Sequence, residues 1–363
     1  MAVKIIHAAD FHMDSPFDSL PREKAVLRRR EQREMLSRIA SLANEENVQV
    51  VLLSGDLFDS ALSYHETGEA LVRALAEINA RVFISPGNHD YYCEKSPYSY
   101  LEFPENVYIY KSPSVRCVEL PELGCRVWGA AMCSPVCPSL LRGFSADDTA
   151  SVDIMVMHGD MTGGEYNPIE EHDIESSKLD YLALGHVHSF SGVKRAGGTY
   201  YSYCGCPEGR GFDETGGKGI IMGTVDKGKC SLDFVRLGGR EYRIIELDVT
   251  GRKDIESTVA EAVPKEFSRD ICRIILTGEF DGRADTEKIA AACTDRLFHV
   301  AVRDETRLPC DIWAAAGEDT LTGLFVSRMK AKFDNASPDE RHMVELAVRY
   351  GLSALEKREE WRP

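Results

Sequence analysis

The sequence predicts an α/β fold organised on a parallel sheet. Three apolar runs, 3–9, 48–53 and 82–86, alternate with two stretches of helical apolar spacing, a rhythm that implies right-handed crossovers. Each run ends in polar residues: Asp10 and His12, then Asp56, then Asn88 and His89. Open α/β sheets build their ligand sites at such strand ends. The same β–α alternation returns after residue 240.

Taken in order, residues 3–9 read as a strand because six of the seven side chains are apolar or imidazole and a turn follows. Residues 22–46 read as a helix, with Met35, Leu36, Ile39, Leu42 and Ala43 on one face. The run 48–53 is a buried strand ending in Ser54-Gly55-Asp56-Leu57-Phe58-Asp59. A helix over 65–79 leads to the strand 82–86 and to Gly87-Asn88-His89-Asp90. Shorter strands follow at 107–110, 115–120 and 126–130, with Gly and Pro between them. The runs 152–157 and 181–184 are again buried strands, ending in His158-Gly159-Asp160 and Gly185-His186-Val187-His188. Strands at 200–204, 220–225 and 231–237 complete a first domain, 1–240. The glycine-rich stretch 209–219 reads as a flexible connection, with a phosphate cradle as the alternative. Strands at 242–249, 272–277 and 298–303 alternate with helices at 254–263 and 285–293, a small α/β domain over 241–315. After Pro309 the chain turns helical, at 320–333 and 338–357, a C-terminal segment over 316–363. Ser337 is an N-cap followed by Pro338 at the first helical position and by acids in the first turn. Leu324, Phe325, Met329, Met343, Leu346, Ala347, Tyr350 and Leu355 recur at helical spacing and pack on the chain's own body or dock a partner.

At 363 residues with 43% hydrophobic content, the chain can bury a sizeable core. No apolar stretch reaches the twenty or so residues that span a bilayer. The N-terminus enters a strand directly, without the apolar core of an export signal, so a cytoplasmic location is expected. The eleven cysteines are then expected as free thiols, and Cys133-x3-Cys137 and Cys204-x-Cys206 do not have zinc-ribbon spacing. Net charge is −16, of which residues 241–363 carry −6 (25 acidic against 19 basic) and residues 1–240 the remaining −10. That balance argues against autonomous binding to a phosphate backbone, and any nucleic-acid affinity needs bound metals or a partner.

Five strand ends carry the chemistry: Asp10 and His12; Asp56; Asn88 and His89; His158; His186 and His188. Five of the ten histidines fall there, too many for isolated structural roles. Carboxylate, imidazole and amide without thiolate suit manganese, iron or zinc better than calcium. Two such ions need a bridging group, and a carboxylate can place one oxygen on each. His89 is placed to protonate a leaving oxygen or to stabilise developing charge, with Asp59 as the group that would orient its ring.

Asp10-x-His12, Gly55-Asp56-x-x-Asp59, Gly87-Asn88-His89-Asp90, His158-Gly159 and Gly185-His186-x-His188 resemble the ordered motifs of the calcineurin-like metallophosphoesterases, over residues 5–190. The resemblance implies a two-sheet αββα sandwich with metals at the strand ends. It implies Asp56 as bridge, Asp10, His12 and His188 on one ion, and Asn88, His158 and His186 on the other. Residues 10–17, Gly55-Asp56-Leu57-Phe58-Asp59 and Cys206-Pro207-Glu208-Gly209-Arg210-Gly211-Phe212 resemble the SbcD-type nuclease subunits of DNA repair, including their YhaO-like branch. That similarity implies manganese-dependent cleavage of DNA, a small α/β capping domain, a homodimer, and work beside a coiled-coil ATPase of the SbcC type. The alternatives are a phosphatase, a cyclic-nucleotide phosphodiesterase and a non-catalytic scaffold. Ser60-Ala61 and Asp90 disfavour a protein phosphatase, residues 241–363 a small cyclic-nucleotide enzyme, and the complete ligand set a scaffold.

Overall fold

The computed structural model describes residues 2–307 and 311–356. Pro309, Cys310 and the last residue of the expected helix 338–357 lie outside the described residues. The chain runs β1 (Val3–Ala8), α1 (Arg22–Glu45), β2 (Val50–Leu53), α2 (His65–Ala76), β3 (Arg81–Ile84), α3 (Pro97–Tyr100), β4 (Val107–Ile109), β5 (Arg116–Leu120), β6 (Cys125–Gly129) and β7 (Val152–His158). It continues as α4 (Glu171–Ser176), β8 (Tyr181–Gly185), β9 (Lys194–Ala196), β10 (Thr199–Tyr203), β11 (Gly219–Asp226) and β12 (Lys229–Arg236). The last part holds β13 (Tyr242–Asp248), α5 (Ile255–Ala262), β14 (Ile271–Thr277), α6 (Thr286–Cys293), β15 (His299–Asp304), α7 (Leu321–Asn335) and α8 (Pro338–Glu356).

Two six-stranded sheets form the body, ordered β12-β11-β1-β2-β3-β4 and β5-β6-β7-β8-β10-β9. The first is parallel from β1 to β4, with β11 and β12 added antiparallel. The second is parallel from β6 through β7 and β8 to β10, with antiparallel edges. Strands buried on both faces need continuous apolar sequence, which explains why 50–53 and 154–157 do not alternate. One face of each sheet meets the other: Ile5, Val50, Leu52 and Phe83 pack on Val127, Ile154, Val156 and Ala183. The outer face of the first sheet takes α1 and α2 through Met35, Leu36, Ile39 and Leu71. The outer face of the second packs Met155, Met157, Leu182 and Leu184 on Ile174 of α4 and on Leu141. The layers are therefore helix, sheet, sheet, helix. His7 hydrogen-bonds across the sheets through Nδ1 to the Tyr181 hydroxyl, 2.8 Å, and Ser54 donates to Ala183 O at 3.0 Å.

A third, parallel sheet, β13-β14-β15, carries α5 and α6. Asp254 and Asp285 cap those helices by accepting the N–H of Ser257 and Lys288. A cluster of Phe17, Leu20, Ala25, Phe212, Tyr242 and Ile271 joins this sheet to α1 and to the glycine-rich stretch. α7 and α8 pair through Val326, Val348 and Leu352. At the start of α8, at the N-cap the sequence signals, Glu340 accepts from the Ser337 N–H at 3.0 Å and its hydroxyl at 2.7 Å. α3, α4 and β9 escape the sequence reading because none exceeds six residues, too short to display a period.

Candidate metal centre

The C-terminal ends of β1, β2, β3, β7 and β8 converge on one side of the body. Beyond β1 and β2 the two chains stay paired, with Asp10 N–H to Gly55 O at 3.0 Å and His12 N–H to Asp56 O at 2.9 Å. Asp10, His12, Asp56 and His186 all sit at positive φ (56°, 44°, 51° and 115°). Four of the nine non-glycine residues with positive φ among those described thus belong to this cluster, strain held by the surrounding structure and concentrated where the polar groups meet. Gly55, at φ +84°, admits no Cβ: one would lie 2.7 Å from His158 Nδ1 and 2.8 Å from Gly87 Cα.

Tautomers follow from the outward-facing nitrogens. His12 Nδ1 donates to Asp59 Oδ1 at 3.1 Å, and His158 Nδ1 donates to Ser54 O at 2.9 Å. His188 Nδ1 lies 2.7 Å from Glu214 Oε1, a contact that a carboxylate tolerates only from N–H. The Nε2 lone pairs of His12 and His188 then face each other at 3.2 Å. His158 Nε2, likewise a lone pair, faces Asn88 Oδ1 at 2.9 Å, and His186 Nδ1 is 3.1 Å from the same oxygen. Opposed acceptors repel unless a cation lies between them. Nitrogen ligands about 2.1 Å from a shared ion sit about 3 Å apart, matching the His12–His188 spacing. Asp56 stands between the two groups, with Oδ2 3.6 Å from His12 Nε2 and 3.4 Å from His158 Nε2.

Three sets each gather ligand atoms within 4.8 Å: Asp10, His12 and His188; His12, Asp56 and His89; Asp10, Asp56 and His158. None contains a cysteine, and the ten described cysteines form no disulfide. Burial lowers the His12 and His186 imidazoles to about 4, which keeps them neutral and able to ligate. Burial, then the charge of Asp56, raises the Asp10 carboxyl well above its ordinary range. Burial also pushes Asp56 up, but the imidazoles of His158, His12 and His89 more than reverse it and leave it low. Two close carboxylates of unequal acidity, with the neutral imidazoles of His12 and His186 beside them, are a donor set that fits divalent cations.

The Asp59 carboxylate meets His12 instead of His89. It is the Asp59 carbonyl that accepts His89 Nδ1–H, at 3.1 Å. The sequence spacing brings Asp59 to the right loop but does not tell carboxylate from carbonyl. His89 is exposed, and its backbone N–H donates to Asp56 Oδ1 at 2.9 Å.

Asp90, which the sequence leaves as a turn cap, is fully buried. Its carboxylate accepts the N–H groups of Gly87 (2.7 Å), Asp56 (3.1 Å), Leu57 (2.7 Å) and Phe58 (3.3 Å), and the Tyr98 hydroxyl at 2.5 Å. It therefore joins the loops that carry Asp56 and Asn88. Asp90→Ala leaves these buried donors unpaired, and the expected cost is about 3–5 kcal/mol, read by urea unfolding of metal-free protein. A loss under about 1 kcal/mol would show that the loops close without it.

Two further residues escape the sequence reading. Arg210 donates to Asp59 Oδ1 at 3.3 Å and to Glu214 Oε1 at 2.5 Å, and Glu214 is the partner of His188. Both come from the stretch read as a flexible connection. The one available signal is the motif that contains Arg210.

The profile of the calcineurin-like phosphoesterases matches residues 3–190. The chain is 29% identical over 294 residues to the metallophosphoesterase YhaO of Bacillus subtilis (strain 168), spanning 75% of this chain and 71% of that protein. It is 24% identical over 371 residues to the DNA double-strand break repair protein Mre11 of Saccharolobus solfataricus, spanning 94% of this chain and 93% of the relative. Similarity to a subunit of the nuclease SbcCD of Bacillus subtilis is 23% over 256 residues, 59% of this chain and 64% of that one. With the family profile covering both loops that pair beyond β1 and β2 and every strand end of the cluster, the chain belongs to the calcineurin-like phosphoesterase family.

Proposed function

We propose that the chain is a two-metal phosphodiesterase that cleaves DNA, with manganese as its metal and a role in DNA repair. Family membership makes it a metal-binding hydrolase. The observation that carries the finer reading is the pair of opposed acceptor sets flanking Asp56. Asp10, His12 and His188 hold one ion, Asn88, His158 and His186 the other, and Asp56 serves both. Two ions bound there supply a water nucleophile at neutral pH and a clamp on the phosphoryl oxygens.

The chain's own residues supply the rest. Asp59 O fixes His89 Nδ1–H, so that in its imidazolium form the ring presents Nε2–H, the proton that passes to a leaving oxygen as the ring returns to its neutral form. Beside it opens a groove of about 490 Å³ lined by Asp59, Leu62, Asn88, His89, Tyr91 and Tyr166, wide enough for a nucleotide. DNA as substrate draws on the relatives named for double-strand break repair and as part of a nuclease. The division into a catalytic domain 1–240, a capping domain 241–315 and a C-terminal segment 316–363 belongs to this reading. So does a homodimer working in the cytoplasm. On this reading α7 and α8 receive a coiled-coil ATPase: they expose Leu321, Leu324, Met343 and Tyr350. No helix among the described residues is long and apolar enough to cross a membrane.

Linear DNA labelled at one end, incubated with the purified chain and manganese, tests the reading. Shortened or cut products that vanish with chelator are expected. Hydrolysis of small phosphate esters alone, with DNA left intact both with and without an ATPase partner, would reject the nuclease assignment.

A further inference from the structure

We propose that Glu214 and Arg210 are positioning residues that hold His188, and through Asp59 His12, in the orientation their shared ion requires. The inference rests on the two-metal reading of the site. Glu214 is buried, with its Oε1 2.7 Å from His188 Nδ1. An acceptor oxygen at that distance keeps the proton on Nδ1 and the lone pair on Nε2. Asp59 does the same for His12.

Arg210 links the two carboxylates. Its Nη2 donates to Glu214 Oε1 at 2.5 Å, and its Nη1 donates to Asp59 Oδ1 at 3.3 Å. The Arg210 backbone N–H donates to Glu214 Oε2 at 2.8 Å. Arg210 Nη2 also lies 3.0 Å from His188 Nδ1, so the guanidinium is directed at the histidine pair. The loop is anchored from outside the site. Phe212, between the two residues, packs on Phe17, Tyr242 and Ile271, with the Arg273 guanidinium 4.0 Å from its ring centroid. The third sheet thus holds the segment that orients His188.

Manganese titration of the full-length chain, following free Mn²⁺ by electron paramagnetic resonance, tests this. The wild type is expected to take two ions. Glu214→Ala is expected to keep one at wild-type affinity and to weaken the other about 10–100-fold. Glu214→Gln, whose amide oxygen can accept the same N–H, is expected to recover part of that loss. If Glu214→Ala does not fold by circular dichroism, Glu214→Gln carries the test, with a several-fold weakening of one ion only. Two ions at wild-type affinity in the folded variants overturn the inference. A wild-type chain that holds no manganese overturns the two-metal reading and the inference with it. Selective loss of one ion supports the inference whatever the DNA assay yields.

Discussion

Asp56→Asn is expected to release both ions and to lower phosphodiester turnover at least about 1000-fold. Asparagine is the informative replacement because Asp56 sits at φ 51°, a conformation that Asn adopts more readily than other non-glycine residues. It also keeps an oxygen for the His89 N–H, so the loop stays closed. What it removes is the charge that stands 3.6 Å from His12 Nε2 and 3.4 Å from His158 Nε2. A neutral amide cannot offer an anionic oxygen to each side. Metal per chain after desalting, measured by atomic emission, decides the point. Two ions retained would end the bridging assignment.

The parts of this site that sequence displays are those written at strand ends. Asp10, Asp56, Asn88, His158 and His186 each follow an apolar run, so a period and a stop suffice to find them. The two-sheet layering is not written that way. Periodicity shows strands buried on both faces, and only the family resemblance supplies a second sheet, the one that β6 and β7 enter. The supporting shell is less legible still. Asp90 lies next to His89 in sequence, yet its role appears only when the Asp56–Phe58 amides fold over it. Glu214 reaches His188 from 26 positions away, out of a stretch whose glycines read as slack. Its glycines are compatible with tight packing: Phe212 and Arg210 hold the stretch on both sides. Composition conveys the backbone freedom of such a segment. It does not convey the side chains that remove it.

His89→Ala is expected to slow turnover about 10²–10⁴-fold while both ions stay bound. Two roles compete for this side chain. It offers an atom within 4.8 Å of His12 and Asp56, as a ligand would. It is also exposed at the groove, with Nδ1 committed to Asp59 O, as a proton donor to substrate would be. The surrounding bonds separate the two. The link from residue 89 to the Asp56 carboxylate is a backbone N–H to Oδ1, which alanine keeps. The ring itself contributes one hydrogen bond and an edge contact with His12, 4.7 Å between centroids. Little folding energy is therefore at stake, and the thermal midpoint should stay close to wild type. A proton donor makes a further demand on the substrate. A phosphodiester whose leaving group is a weak base, such as a nitrophenolate, departs without help, so the variant should lose much less on that ester than on DNA. A ligand role predicts the opposite pattern: one ion lost, and equal loss on both substrates. Manganese content and the ratio of the two rates, measured on the same preparation, distinguish them, and the committed Nδ1 and exposed edge of His89 favour the proton donor.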